Sequence, residues 1–513
     1  MSEVFGLKSK LGLASILFLL ATLLLKISGL VRDMVIAFYF GGSLESDAFW
    51  AAFIIPNMII LFFTTGMKNA LVPSYIQAIE NKRHEYHLNH VFTGTILISL
   101  LISVLGIVLA PYYIPLLYGG LGEEGHDIAI VISMIFFSSI FFIGMNAVLE
   151  AFFDAENRFA LSMVSQIIVI VSLILGAVFF AETLGVYALG YGYLAGTILS
   201  LLFKLVIVSK RNVPKLTWKL DWPEVKDFYI VFFPVALTVA VGQINLAVDN
   251  VFAAQFKDGV VTSLNYAKNL VHFPQAIFGV TIGTIIFPLI SKANSQNDHQ
   301  LFKKGIEQGL TTMLFILLPS IAGLMLLMPN IIELLYQRGQ FDANATRTTV
   351  EIAYYYVGSV LFFSLHNVIN KGFYTLKKGH LIMIVGGFAI LLNAGLNVLF
   401  TNWLGYRGIP LASSVMAVFY VGTCFLIFLR LVDGLKLRMI GKEYAKIILA
   451  VAVMAGAVVG VLTLVEDWNN IMQIITVAIS GAVVYTGSVF ALKVDTIKIF
   501  TNRFLKKKGN QTS

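Results

Sequence analysis

"LLLKISGLVRDMVIAFYF", residues 23–40, decides how the chain is read. It continues the apolar run "LGLASILFLLAT" from residue 11, so the segment is long enough to cross a bilayer. Yet it carries Lys26, Arg32 and Asp33. A charge at membrane depth costs roughly 2.5–3.5 kcal/mol even on the mildest scales. A partner charge, a water-filled cavity or a charged ligand has to offset that cost.

The rest of the chain has the same character. Of its 513 residues 58% are hydrophobic and only 12% charged, about half the charged share of a soluble domain. Apolar stretches of 20 or more residues recur from end to end, which indicates an all-α integral membrane protein. Membrane β-barrels, with their short alternating segments, are excluded. The start "MSEVFGLKSK" lacks a small-residue cleavage site, so no removable signal peptide is expected. The single cysteine, Cys424, lies in an apolar run and reads as a packing residue.

Fourteen spans are expected, centred near residues 25, 60, 103, 140, 169, 198, 240, 276, 319, 361, 391, 419, 453 and 481. Their loops sort the basic residues. One side receives 26 of them, including Lys8, Lys82, the cluster Lys210–Lys226, Lys377, Arg430 and the tail "RFLKKKGNQ". The other side receives four: Lys257, Arg338, Arg347 and Arg407. The positive-inside rule then puts both termini in the cytoplasm. The net charge of +8 mostly reflects this topology, so the basic tail reads as a contact for membrane lipids and not for nucleic acid.

The chain also repeats itself. "RDMVIAFYFGGSLESDAFWAAFIIPN" from Arg32 parallels "VDNVFAAQFKDGVVTSLNYAKNLVHFP" from Val248, matching Asp33 to Asp249 and, roughly, Pro56 to Pro274 and Pro73 to Pro288. "LGVYALGYGYLAGTILSLL" from Leu184 parallels "LGYRGIPLASSVMAVFYVG" from Leu404. Each unit holds six spans, an even number, so the copies run parallel about an axis along the membrane normal. The expected architecture is two six-helix lobes around a central cavity, residues 1–220 and 221–435. Two further helices follow over 436–495, then a basic cytoplasmic tail over 496–513.

Five basic residues remain inside spans: Lys26, Arg32, Lys68, Lys268 and Lys371, with His272 and His366 on two of the same helices. Lys204 is expected to snorkel to the cytoplasmic face, and Glu150, Asp154 and Glu156 beside Arg158 to form a solvated cap. The acids at comparable depth are Asp33 and Asp249, with Asp47 nearer a helix end. Either the five bases belong to structural ion pairs, or they line a hydrated cavity suited to an anionic, phosphate-bearing cargo. A second constellation joins Asn393 and Asn397, four apart on one helical face, with Ser413 and Asp249. It serves either as polar glue between helices or as oxygen ligands for Na⁺. No G-x-x-x-x-G-K-[ST] or H-E-x-x-H motif occurs, so neither an ATP-driven pump nor a zinc hydrolase is indicated. No catalytic activity is expected.

"KISGLVRDMVIAFYFGGSLESDAFWAAFIIPN", "ALVP", "GVTIGTIIFPLIS", "LLYQRGQFDANAT" and "GFY" resemble the MurJ/MviN family of lipid II flippases, over essentially the whole chain. That family belongs to a superfamily with multidrug and polysaccharide exporters. The resemblance implies alternating access that moves an undecaprenyl-diphosphate-linked peptidoglycan precursor across a bacterial cell membrane, driven by membrane potential or ions. It implies a monomer whose partners are the lipid-linked anionic glycan and membrane lipids. By position, Lys26 stands for a cavity arginine, and Arg32, Asp33 and Asp47 match directly. Asp249, Asn393, Asn397 and Ser413 resemble the family's sodium site. Two arginines of the pattern are missing, at Ile60 and at Asn269, where Lys68 and Lys268 stand nearby. The cargo is then lipid II or another undecaprenyl-linked glycan; a cation-coupled drug exporter would want an acidic cavity instead.

Overall fold

The computed structural model describes residues 24–208, 214–241 and 243–498, all in helices and short connections. The N-terminal half of the first expected span, Lys8, Lys210, Arg211 and most of the basic tail lie outside these residues. The helices are α1 (24–40), α2 (Leu44–Glu80), α3 (His84–Leu117), α4 (Gly122–Ala155), α5 (Phe159–Leu184), α6 (Tyr187–Ile207) and α7 (Trp222–Val241). Then come α8 (Ile244–Ala253), α9 (Val260–Val271), α10 (Val280–Ser295), α11 (His299–Leu326), α12 (Met328–Tyr336), α13 (Ala343–Tyr355) and α14 (Val357–Thr375). The chain closes with α15 (Gly379–Leu404), α16 (Gly408–Leu431), α17 (Leu437–Leu464) and α18 (Asn470–Ala491). Among the described residues nine helical stretches are long and apolar enough to span a bilayer, ten if the pair α13–α14, bent by 46°, counts as one. α8, α9 and α10 are too short to qualify, and α7, though 20 residues long, carries Glu224, Lys226 and Asp227 near its start.

By packing the chain forms two compact units, residues 1–262 with 338–342, and residues 263–337 with 343–513. The sequence repeat and the packing therefore divide the chain at different places. The reason is visible in α7, which lies on α2. Phe62 meets Phe232 edge-on with ring centroids 5.0 Å apart, and Gly66 lets the backbone come close to Ala236. Small residues at such contacts stand in for a hydrophobic drive that lipid cannot supply. The second unit packs α10, α11, α14 and α16 around Ile306, Phe373 and Phe428, with Cys424 buried among them. α17 and α18 join α11 through Ile447, Met454 and Val477.

The repeat copies also bend differently. α2 runs through Pro56 and Pro73 as one 37-residue helix. The matching stretch of the second copy breaks at Pro274 into a π turn, Gln275–Gly279, between α9 and α10. Proline removes a backbone donor and crowds the preceding turn, and a π turn is one way a helix absorbs that.

A polar network crosses the first unit. Lys204 is fully buried and does not reach water, contrary to the expectation of snorkelling. Its ammonium donates to Glu150 at 2.9 Å, to Asn146 at 2.6 Å and to Ser200 at 3.3 Å, which uses all three of its protons. Glu150 is likewise buried, not part of a solvated cap. It accepts from Gln166 at 3.0 Å, and Lys68 lies 3.4 Å from it and 3.3 Å from Asp154. Ser162 donates to Asp154 at 2.8 Å. Two bases and two acids thus balance across α2, α4, α5 and α6. Breaking one side of such a pair leaves a buried charge without its counterion, at about 3–5 kcal/mol. Lys204→Met should lower the melting temperature of the purified protein sharply, and Lys204→Met with Glu150→Gln should recover most of the loss. A melting temperature unchanged by Lys204→Met would contradict the network's role.

Candidate functional site: buried charges and the Asp47 seal

α2 starts with a reciprocal cap. Ser43 accepts from the Ser46 backbone N–H at 3.3 Å, and the Ser46 hydroxyl accepts from the Ser43 N–H at 3.1 Å. Asp47 follows in the first turn, where the positive end of the helix dipole favours an acid. Its carboxylate, almost wholly buried, also accepts the Gly259 N–H at 2.8 Å, the Thr262 N–H at 2.8 Å and the Thr262 hydroxyl at 2.6 Å. These groups belong to the start of α9. Ser43 therefore caps the start of α2, and the Asp47 carboxylate caps the start of α9.

The backbone around it is pressed close. Gln340 N–H donates to the Phe38 carbonyl at 2.9 Å, and a Cβ at Gly339, where φ is +59°, would sit 2.2 Å from that same oxygen. A Cβ at Gly259, with φ of +85°, would sit 2.5 Å from the Gly42 carbonyl. Only glycine tolerates both demands. The "RGQFD" segment, the Gly41–Gly42 turn and residues 257–262 thus form one seal at the end of α1 and α2. Asp47, expected at a cargo site, makes three bonds to protein here.

Arg32 and Asp33 stand on α1. Arg32 folds back so that Nε and Nη2 donate to Asp33 Oδ1 at 2.9 and 2.7 Å. Successive helical residues do not normally face each other. The guanidinium also lies 5.6 Å from the Trp50 ring centre, a cation–π contact. Asp33 is buried, while the Arg32 side chain keeps 22% of its surface exposed. Lys26, six residues earlier and about 9 Å along the axis, is exposed. Lys68 is engaged by Glu150 and Asp154, so its charge is offset within the first unit. Sequence reasoning set its partners aside as a surface cap. Asp249, the repeat mate of Asp33, is fully buried on α8.

In the second unit Lys268 is half-buried in the last turn of α9 and Asn269 beside it is exposed. His272 shares its Nδ1 with Gln275 Oε1 at 2.7 Å, and its Nε2 lies 3.4 Å from the Ser359 hydroxyl. Lys371 lies over the Phe287 ring at 5.3 Å. Ser359 and Lys371 are 12 residues apart on α14, about 18 Å along its axis, so His272 and Lys371 occupy different levels. Asn393 and Asn397 are fully buried on α15, and Ser413 is buried on its neighbour α16. Ile60, at one missing arginine position, sits in the apolar core of the first unit.

A family model described as "Lipid II flippase MurJ" matches residues 36–479. A "Probable lipid II flippase MurJ" of Vibrio cholerae is 29% identical over 476 residues, covering 87% of this chain and 88% of its own. A "Lipid II flippase MurJ" of Burkholderia cenocepacia is 28% identical over 410 residues, covering 77% and 79%. Among solved structures, "Lipid II flippase MurJ, inward closed conformation" superposes with a TM-score of 0.79 at 26% identity, covering 96% of this chain and 100% of that one. An inward-facing multidrug transporter of the MATE family shares the fold, with a TM-score of 0.70 at 16% identity. The family match spans most of the chain: it belongs to the lipid II flippase MurJ family.

Proposed function

We propose that this chain moves lipid II, the undecaprenyl-diphosphate-linked peptidoglycan precursor, from the inner to the outer leaflet of a bacterial cell membrane. Both of its termini are cytoplasmic in this reading. The observation that carries it is the family match over residues 36–479. The mechanism is alternating access. In this reading the bonds around Asp47 tie the start of α2 to the start of α9 until cargo is released outward. Opening outward requires the start of α9 to leave Asp47, and the lost bonds, at about 1.5–3 kcal/mol each for a charged acceptor, set the barrier. A releasable seal needs few and specific bonds, and three bonds to one carboxylate fit that need.

Arg32 is the base best suited to the diphosphate. Its side chain is partly exposed, and a guanidinium grips phosphate through two parallel bonds where an ammonium cannot. Asp33 keeps Arg32 compensated while no cargo is bound, and a diphosphate then competes for the same fork. Lys26, Lys268 and Lys371 add positive charge at other levels; Lys68 serves the network instead. A second reading, another undecaprenyl-diphosphate-linked glycan, is favoured by Ile60, which supplies no charge where the family pattern has one. Expression in cells depleted of their own lipid II flippase separates the two. The proposal predicts restored growth and lipid II export; failure of the well-expressed protein to restore either favours the other glycan. In that assay Arg32→Ala should lose about 10- to 150-fold in cargo affinity, the equivalent of one such charged bond. Arg32→Lys should be partly active, and Lys507→Ala unaffected. Full transport by Arg32→Ala at normal expression would refute the assignment.

Na⁺ is the proposed coupling ion. Asn393, Asn397, Ser413 and Asp249 offer amide, hydroxyl and carboxylate oxygens, the hard donors a hard cation prefers. Asn393 and Asn397 are buried on α15, Ser413 on α16 and Asp249 on α8. Sodium in place of potassium at constant ionic strength should raise the melting temperature of the purified protein, and Asp249→Ala should remove the difference. Equal melting in both salts would count against the site.

A further inference from the structure

The connection from α6 to α7 is built as a strap on the surface of the first unit. Lys215 N–H donates to Asn89 Oδ1 at 2.7 Å, and Thr217 N–H to Thr93 Oγ1 at 3.2 Å, both on α3. Tyr86 donates to Asp221 at 2.5 Å. Glu224 is held by His87 at 2.6 Å and by Arg83 at 3.7 Å. These bonds turn two of the strap's three acids toward α3. They leave Lys215, Lys219 and Lys226 exposed against Asp227 alone. Trp218 is completely exposed, and Trp222 and Leu216 are each more than half exposed. In a soluble setting this would be an unusual arrangement, because tryptophans are among the most costly side chains to leave in water.

The same strap forms the rim of a groove of about 590 Å³, lined by Ile98, Val225 and Tyr229 with Trp222, Lys226 and Asp227. The groove continues into an apolar outer face of α3 and α7, where Leu97, Leu101, Ile230 and Val231 are exposed. Ile230 follows Trp222 by eight residues, about 12 Å along the helix. Tryptophan and lysine therefore stand one headgroup layer outside a lipid-facing apolar band, on the face that the basic loops assign to the cytoplasm. That is where amphipathic side chains anchor proteins at an interface.

We propose that this strap and groove bind an anionic phospholipid of the inner leaflet. An acyl chain lies along Ile98, Val225 and Tyr229, and the headgroup phosphate is met by Lys226 with Lys215 and Lys219 nearby. The occupant is a lipid and not a protein because the groove opens into the lipid-facing surface and its rim carries excess positive charge with exposed indoles. The site is independent of the transported cargo and stands whether or not the flippase reading holds.

The test uses the full-length protein in nanodiscs whose lipids carry brominated acyl chains, which quench nearby tryptophan. The relevant signal is the fluorescence lost in the Trp218→Phe/Trp222→Phe variant. That component should be quenched at least about twofold more by brominated phosphatidylglycerol than by brominated phosphatidylcholine at equal mole fraction, as expected when three lysines enrich anionic lipid locally. Replacing Lys215, Lys219 and Lys226 with Gln should erase the preference while quenching by both lipids persists. Equal quenching of the native protein by the two lipids would overturn the proposal, as would a preference that survives in the Gln variant. No quenching of this component by either lipid would show the strap lying off the membrane, and would overturn it as well.

Discussion

A buried carboxylate at the meeting of two helix starts is the constraint on which the arrangement depends. Asp47 sits in the first turn of α2 and accepts two backbone N–H groups and a hydroxyl from the first turn of α9. Each helix start leaves backbone donors without intrahelical partners, and in a membrane protein water is not always there to satisfy them. Here Ser43 serves the start of α2, and Asp47, one turn in, serves the start of α9. The glycines at 259 and 339 follow from the same demand, because the backbones must approach closely enough for Asp47 to reach. In the register of the repeat, residues 42–47 stand opposite 258–263, so the two contacting segments occupy nearly the same place in the two copies.

Buried charges elsewhere in the first unit are also met by partners. In the first unit Lys68 and Lys204 are matched by Glu150 and Asp154, and nearly every polar atom of the network has a partner. A fully satisfied network is rigid, which suits a body that moves as a unit. Arg32 differs. Its guanidinium is bonded to its own neighbour Asp33 and lies over the Trp50 ring, and its side chain remains partly exposed. Membrane helices carrying ionisable groups usually mark a pathway for charge or substrate.

Much of this could be read from the chain, and the failures have physical causes. Helix positions followed from apolar length: thirteen of the fourteen expected span centres fall within α1–α18, and residue 276 falls in the π turn between α9 and α10. The match of Asp33 to Asp249 located two acids that are both buried. Lys204 misled because a lysine in the last turn of an apolar helix usually reaches the interface, and its partner Glu150 lies 54 residues away on another helix. A signal was present: Asn146, Glu150 and Asp154 recur every four residues and so stripe one face of α4, while Ser200 and Lys204 do the same on α6. Two polar stripes on apolar helices call for each other. Asp47 was harder, since a first-turn acid is already explained by its own helix and nothing local announces a partner 215 residues on. Both copies carry prolines where a helix bends most easily, but the sequence did not show that only the copy with Pro274 would break while α2 runs on through Pro56.

The central claim is that the Asp47 contact is a latch released during transport, not a permanent tie. The direct measurement is the distance between spin labels at Glu45→Cys and Asp258→Cys, in protein with Cys424→Ala, by pulsed electron resonance in lipid nanodiscs. Both label sites are exposed beside the seal. The account predicts one short distance in the resting protein and a second, longer one that Asp47→Ala makes prominent. A single short distance that stays unchanged in Asp47→Ala would contradict it.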